Sequence, residues 1–508
     1  MQIASTGVQA KVDRISRLDS NRILCNDSYF RASVLFRFTV RTFSMPKSFP
    51  SNRRQFVKQL GLTGIAATLG GNAAASEHPL EPKPRLAKNM IFLVVDGMCT
   101  GTYGFAHHWS LRNRNAPLHW MQLFEQPDLA RALQDTASAS SPVTDSAAAA
   151  SAWGCGQRVM NGAINVDAEG NSLTPLLTHA KAAGKATGLV TTCRVTHATS
   201  AGFAANVEQR AMENEIAQQY LQRDVDVLLG GGLDYFQGES LVSIEDFKAK
   251  GYQCLRNRAE LIAHATHPQL LGLFANSHMP YVIDRTNDAS LAEVPSLQDM
   301  FRAALQSLSQ AQDGFVLQVE AGRVDHAGHV NDPAAILHEL LEFDECIPLA
   351  LEYIKNDPDT LLIITTDHGT GGCQLDGAGA AYEDSGPALE RINTMTASFE
   401  SMARVFSATG RFDPDLFEQG TGMVASKAQA DAIQTIIDDP ETLYLSSAMA
   451  NIVGDSLVAK TAVGWSSNNH TSECVDVFAC GPGSERLPSF IKNYELFGIM
   501  TQALGLST

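Results

Sequence analysis

Basic residues are scarce in this 508-residue chain: 38 Lys and Arg stand against 55 Asp and Glu, a formal net charge of −17. Residues 1–75 hold 11 of the basic and 3 of the acidic residues, so the remainder carries 27 against 52, or −25. A surface that acidic excludes nucleic acid as a partner, because phosphate backbones are held by clustered Lys and Arg. Long apolar runs are also missing; none approaches the ~20 residues of a bilayer-spanning helix. No Cys-x-x-Cys pair occurs among the nine cysteines, which excludes a thiolate zinc site of the common spacing. Charged residues make up only 18% and hydrophobic ones 44%, the composition of a globular protein and not of a disordered one.

The N-terminal region has the character of an address. Ser51-Asn-Arg53-Arg54-Gln-Phe56-Val-Lys58 resembles a twin-arginine export motif, and a mild apolar run from Gly61 to Leu69 follows it. Ala73-Ala74-Ala75 then has the small side chains of a cleavage site. Residues 45–75 are therefore expected to be a signal peptide with Met45 as the true start. Residues 1–44 are expected to be a non-structural extension, and the mature protein to be exported to the periplasm or beyond. If Cys25 is removed, eight cysteines remain, an even number that permits disulfides without specifying any.

Short apolar, β-rich runs at 89–95, 187–192, 225–229, 315–319, 361–366 and 475–480 alternate with helical periodicity at 207–223, 296–312 and 334–355. Continuous apolar strands separated by helices predict βαβ units and a doubly wound α/β fold with a mostly parallel central sheet. Residues 76–508 are read as one catalytic domain. Two stretches, about 232–300 and 372–463, exceed a minimal sheet and are expected to be insertions, the second one capping the site or building a subunit interface.

Three of these runs end in side chains that suit metal ions. Residues 89–95 lead into Asp96-Gly97, and 315–319 into Glu320-Ala-Gly-Arg-Val-Asp325-His326-Ala-Gly-His329. Residues 361–366 lead into Asp367-His368. Ligands of open α/β sheets bind beyond the strand carboxyl ends, and mixed Asp, Glu and His sets hold Zn²⁺ and Mg²⁺. A multi-metal enzyme is expected.

A second signal is Thr144-Asp145-Ser146 followed by an Ala-rich run to Trp153. Small polar residues cap a helix and alanine propagates it, so the segment by itself predicts only a well-started helix. A serine at that N-terminus would also sit where backbone N–H groups favour an anion, and a metal beside it would make it a nucleophile. Arg210, in Glu208-Gln-Arg-Ala-Met-Glu213, could by itself be a solvated helix residue.

Taken in order, Asp96-Gly97-Met98, Thr144-Asp145-Ser146-Ala147-Ala148, Glu320 to His329, Thr366-Asp367-His368 and Asn469-His470-Thr471 resemble the motifs of the alkaline phosphatase family. The resemblance covers roughly residues 88–507. It implies two Zn²⁺ and one Mg²⁺ per chain. One zinc would be held by Asp325, His329 and His470, and the second by Asp96, Asp367, His368 and the Ser146 oxygen. The magnesium would be held by Asp96, Thr199 and Glu320. Arg210 would grip phosphate through two oxygens, with Asp145 nearby. His197 and His326 stand where some members carry Asp and Lys, so the third metal is open at these positions, and either ring could instead hydrogen-bond phosphate.

The implied activity is hydrolysis of small phosphate monoesters, of broad range, through a phosphoserine, by a homodimer. The nearest alternative is phosphodiester or other hydrolysis on the same metal scaffold. A sulfatase needs Cys or Ser before x-Pro-x-Arg, and Ser146-Ala147-Ala148 lacks both Pro and Arg. A non-catalytic binding protein would not need Ser146 beside Arg210.

Overall fold

The computed structural model describes residues 85–508; the expected leader at 45–75 and the extension at 1–44 lie outside the described residues. The centre of the described chain is a ten-stranded sheet. Its strands are β1 (Asn89–Val95), β2 (Ala130–Asp135), β3 (Ala186–Arg194), β4 (Val227–Gly231), β5 (Gln253–Leu255), β6 (Leu270–Leu273), β7 (Phe315–Ala321) and β8 (Thr360–Thr366). Two further strands, Val475–Cys480 and Phe490–Lys492, complete it. From one edge the order is Phe490–Lys492, β2, Val475–Cys480, β8, β1, β7, β3, β4, β6, β5. The run from β8 to β5 is parallel, and Val475–Cys480 is antiparallel to both neighbours. The expected α/β class with a mostly parallel sheet is what the chain adopts.

β1 shows why its sequence is apolar at every position. Ile91, Leu93 and Val95 join the core on one side of the sheet, and Met90, Phe92 and Val94 join the core on the other. A strand covered on both faces needs no polar alternation. Three such strands lie side by side: Val95 pairs with Ala321 of β7 and with Thr366 of β8. Asp96, Gly322 and Asp367 therefore leave the sheet at one level, which gathers the site. Gly97 makes the first turn with φ +77°, and a Cβ there would lie 2.6 Å from the Asp325 Cα, so only glycine lets the two chain segments approach.

The Ala-rich helix Ser146–Cys155 has a packing role beyond propensity. It lies against the helix Ala198–Ala204, where Gly202 would bring a Cβ to 2.5 Å from that of Ala150, and a Cβ on Gly154 would enter the Gly202 carbonyl. Small residues on both helices allow this close crossing, which brings the Ser146 end toward Thr199.

Residues 232–300 contribute β5 and β6 to one edge of the sheet as well as short helices. Residues 372–463 are mainly helical, and Ser447 of the helix Leu445–Thr461 donates to the His329 carbonyl at 3.2 Å. None of the described helices is long and apolar enough to cross a membrane.

Candidate active site

Asp96, Asp367 and His368 converge, all buried. Asp367 Oδ1 is used structurally, accepting from the N–H groups of Gly97 (3.0 Å) and His368 (2.9 Å). Its Oδ2 and the Asp96 Oδ1 have no hydrogen-bond partner. Thr370 Oγ1 lies 2.5 Å from Asp325 Oδ1, to which it donates, so at 3.3 Å it accepts from His368 Nδ1. The proton of a neutral His368 then sits on Nδ1, and the Nε2 lone pair points at Asp367 Oδ2 (3.0 Å), Asp96 Oδ1 (3.6 Å) and Ser146 Oγ (3.4 Å). Burial pushes the Asp96 carboxyl well above the usual range, with Asp367, Asp325 and Glu320 adding to the effect. For His368 burial works downward, but Asp367 and Asp325 outweigh it and raise the ring. Such a pocket attracts cations.

A second convergence lies one step away. Asp325 and His329, on the helix Arg323–Val330, meet His470 from a two-residue strand paired with Gly369–Thr370. The two Nε2 atoms are 2.9 Å apart and lie 3.4 Å and 3.5 Å from Asp325 Oδ1. Burial alone would raise Asp325, yet His329, His470 and His368 hold its carboxyl well below the usual range. His470 is pushed down to about 4 by burial and by His368.

Thr199 and Glu320 border the first group on its other side. Thr199 Oγ1 donates to Asp96 Oδ2 at 3.3 Å. Glu320, at the end of β7, is fully buried with neither carboxylate oxygen hydrogen-bonded, and burial pushes it up to about 7. An isolated buried carboxylate is costly, and a cation between Asp96, Thr199 and Glu320 would relieve that cost.

Ser146 opens its helix, capped by Asp145, whose Oδ1 accepts from Ala148 N at 2.9 Å. Asp145 Oδ2 accepts from Gly162 N and, at 3.1 Å, from Arg210 Nη1. Arg210 Nη2 donates to His197 Nε2 at 2.8 Å. Arg210 is thus not a free helix residue; it precedes the helix Glu213–Gln222 and is braced on two sides. Burial and Arg210 keep His197 neutral, well below its ordinary pKa. Burial and Arg323, which donates to His326 Nδ1 at 2.8 Å, do the same to His326.

All thirteen residues singled out in the sequence are drawn into this one region. Sequence reasoning missed Thr370, which orients both Asp325 and His368, and the group Cys193, Arg194, His278 and Arg323 around His326. Thr370 follows the Asp367-His368 pair by two residues and could have been found from it. His278 lies in a loop after β6 and carries no local signal. Cys193, His278 and His326 have donor atoms close enough to share an ion. Their ring lone pairs are engaged, however, since Arg194 donates to His278 Nε2 and Arg323 to His326.

The alkaline phosphatase family model matches residues 87–506. "Alkaline phosphatase 3" of Bacillus subtilis is 33% identical over 425 residues, covering 82% of this chain and 89% of that protein. The Escherichia coli alkaline phosphatase is 32% identical over 357 residues, covering 60% and 74%. Among solved structures, Thermus thermophilus alkaline phosphatase superposes with a TM-score of 0.77 at 35% identity, covering 87% of this chain and 96% of that one. The cold-active enzyme of a Shewanella species gives 0.67 at 32%, covering 82% and 99%. The fold, the strand-end carboxylates and these likenesses agree, and the chain belongs to the alkaline phosphatase family of phosphate monoester hydrolases.

Proposed function

We propose that the protein hydrolyses small phosphate monoesters of broad range through a phosphoserine formed on Ser146. The observation that carries this reading is the position of Ser146 Oγ, 3.4 Å from His368 Nε2, at the N-terminus of a helix whose cap, Asp145, is held by Arg210. One zinc is assigned to Asp325, His329 and His470, a second to Asp96, Asp367, His368 and Ser146, and a magnesium to Asp96, Thr199 and Glu320. The partnerless oxygens of Asp96, Asp367 and Glu320 support the fit. Bound metals would supply Lewis acidity for the attacking and leaving oxygens, and charge compensation for the carboxylates.

Ser146 Oγ gives its proton to solvent and attacks phosphorus in line while the leaving oxygen departs from the opposite face and is protonated from solvent; water then attacks from that face, and the released Ser146 oxygen is reprotonated. Arg210 offers two N–H donors to equatorial phosphoryl oxygens, a planar match that Lys lacks. The N–H groups at the helix start add a second positive end to the cradle. His197 and His326 each accept a hydrogen bond from a guanidinium, so their remaining N–H groups are donors. That favours hydrogen bonding to phosphate over metal ligation for both rings. The same reading takes the enzyme as an exported homodimer.

The test is hydrolysis of p-nitrophenyl phosphate by residues 76–508 across pH 7–11, with EDTA and with Zn²⁺ and Mg²⁺ restored separately and together. Alkaline activity abolished by EDTA and restored by both metals is expected. Turnover of a phosphodiester in preference to the monoester would overturn the proposal.

A further inference from the structure

Next to His326, across the His278 ring, lies a cavity of about 610 Å³ whose walls include Asn276, Ser277, His278, Glu400 and Arg404. A row of imidazoles joins it to the phosphate cradle. The His197 ring, which accepts a hydrogen bond from Arg210, is 5.5 Å from His326, and His326 is 4.3 Å from His278 on the cavity wall. Arg323 ties the two ends electrostatically: it donates to His326 Nδ1 at 2.8 Å and to Glu400 Oε2 at 2.7 Å, and stacks 3.8 Å over Tyr281.

The arginines around this cavity are not equally held. Arg194 is matched by Glu213, with contacts of 2.7 to 3.1 Å. Arg323 and Arg404 share the single carboxylate of Glu400. Arg323 is buried and holds its oxygen closely, whereas Arg404 is 64% exposed and reaches Glu400 only at 3.4 Å. Arg404 also feels the buried Asp284 carboxyl, but its direct contact is the long one to Glu400, and it is free to turn toward the cavity. The lining has no Phe, Tyr or Trp on which a base could stack, but it has the Asn276 amide and the Ser277 hydroxyl.

Resting on the phosphomonoesterase reading above, we propose that this cavity is a leaving-group subsite that favours phosphate monoesters whose alcohol carries a second anionic group, with Arg404 as the residue that selects it. Breadth of substrate follows from the metal-centred chemistry, and preference follows from Arg404. The second group can be a phosphate or a carboxylate, since a guanidinium fork matches both. It must sit several carbons from the scissile ester, because the imidazole row separates the cavity from Arg210. Arg404 touches neither the reacting atoms nor any residue assigned to the metals, so it is a specificity residue and not a catalytic one.

The experiment compares initial-rate kcat/KM of the Zn²⁺- and Mg²⁺-loaded protein on glucose 6-phosphate, 6-phosphogluconate and fructose 1,6-bisphosphate, with p-nitrophenyl phosphate as reference. The expected result is about tenfold preference for the doubly anionic substrates, the order of one exposed charge-assisted contact. In Arg404→Ala the preference falls to near parity with glucose 6-phosphate and p-nitrophenyl phosphate unchanged. In Arg404→Lys part of it returns, since charge is kept and the fork lost. Preference for only one of the two second groups identifies which source the site takes. Equal kcat/KM for all three sugars in the unaltered protein, or a preference that survives Arg404→Ala, overturns the subsite while p-nitrophenyl phosphate turnover keeps the parent reading. Absence of p-nitrophenyl phosphate turnover overturns both.

Discussion

His329 Nε2 and His470 Nε2 face each other at 2.9 Å, and each ring's other nitrogen is pinned to a backbone carbonyl, Nδ1 of His329 to Asn468 at 2.6 Å and Nδ1 of His470 to Thr144 at 2.8 Å. A carbonyl only accepts, so both Nδ1 atoms carry the protons, and the Nε2 atoms meet lone pair to lone pair. Two lone pairs at that separation repel unless a cation lies beside both, and Asp325 Oδ1 completes the set.

Metal removal is therefore expected to cost stability as well as activity. EDTA should lower the melting temperature by several degrees, and Zn²⁺ should restore it, as binding to the folded state alone requires. His470→Ala should retain about one zinc fewer per chain by elemental analysis. An unchanged melting temperature on chelation would show that these side chains are not metal-linked.

Ser146→Ala should lower kcat by about 10³-fold or more while metal content stays close to that of the unaltered protein, because Asp96, Asp367 and His368 remain at that position. A stoichiometric burst of p-nitrophenol from the unaltered enzyme, absent in the variant, would report the covalent intermediate directly.

Arg210 braces Asp145 and His197 without touching the residues assigned to metal. Arg210→Lys should raise KM for p-nitrophenyl phosphate and the inhibition constant for inorganic phosphate by roughly 10-fold or more, the cost of a charged hydrogen bond, with a smaller change in kcat. Equal losses in kcat and kcat/KM would instead mean that Arg210 acts only on the transition state.

The sheet centre was legible because β1, β7 and β8 are buried on both faces, and their continuous apolar runs mark them. β2 was not, since Arg131 and Leu133 point outward while Ala132 and Gln134 point inward, which breaks the run. β5 and Phe490–Lys492 are three residues each at opposite edges, too short for any periodicity. The helical stretch at 334–355 divides at Glu345, because Pro348 has no N–H to continue a helix and so falls in the first turn of a new one, Cys346–Asn356. Site residues beside strand ends could be read from order and residue type. His278 comes from a loop after β6, while Glu400 and Arg404 lie one turn apart on the helix Phe399–Thr409, and only the fold brings the loop and the helix to one cavity.

Glu320 gives the metal-free protein a pH-dependent weakness. Burial raises its carboxyl from the ordinary 4.5 to about 7, so the folded state keeps a proton that the unfolded chain has released across that interval. The contribution is fully present below pH 4.5 and lost as pH rises through 7, an effect of about 3 kcal/mol. The lowered pKa values of His197, His326 and His470 give slopes of the opposite sign below pH 6.5. The informative quantity is then the difference between the unaltered protein and Glu320→Gln, measured by urea unfolding in EDTA. The variant should gain relative stability from pH 4.5 to 7.5, and lose that advantage when metals are restored. A difference that does not vary with pH would mean that Glu320 is not held in isolation.

Gly154 and Gly202 set the distance between the helix that begins at Ser146 and the helix that bears Thr199. A Cβ on Gly154 would meet the Gly202 carbonyl, a backbone atom that cannot rotate away, so the helices must separate. Overpacking of this kind costs about 1–3 kcal/mol, more than the roughly 1 kcal/mol at most that alanine gains in helix propensity, because the clash is with backbone. Gly154→Ala should lower the melting temperature by a few degrees. Because Thr199 bonds Asp96 at 3.3 Å, separation should also loosen the Asp96, Thr199 and Glu320 group first. The variant is thus expected to need more added Mg²⁺ for half-maximal activity, while its zinc content stays near that of the unaltered protein. Loss of stability with an unchanged Mg²⁺ requirement would show that helix spacing and the third metal position are independent.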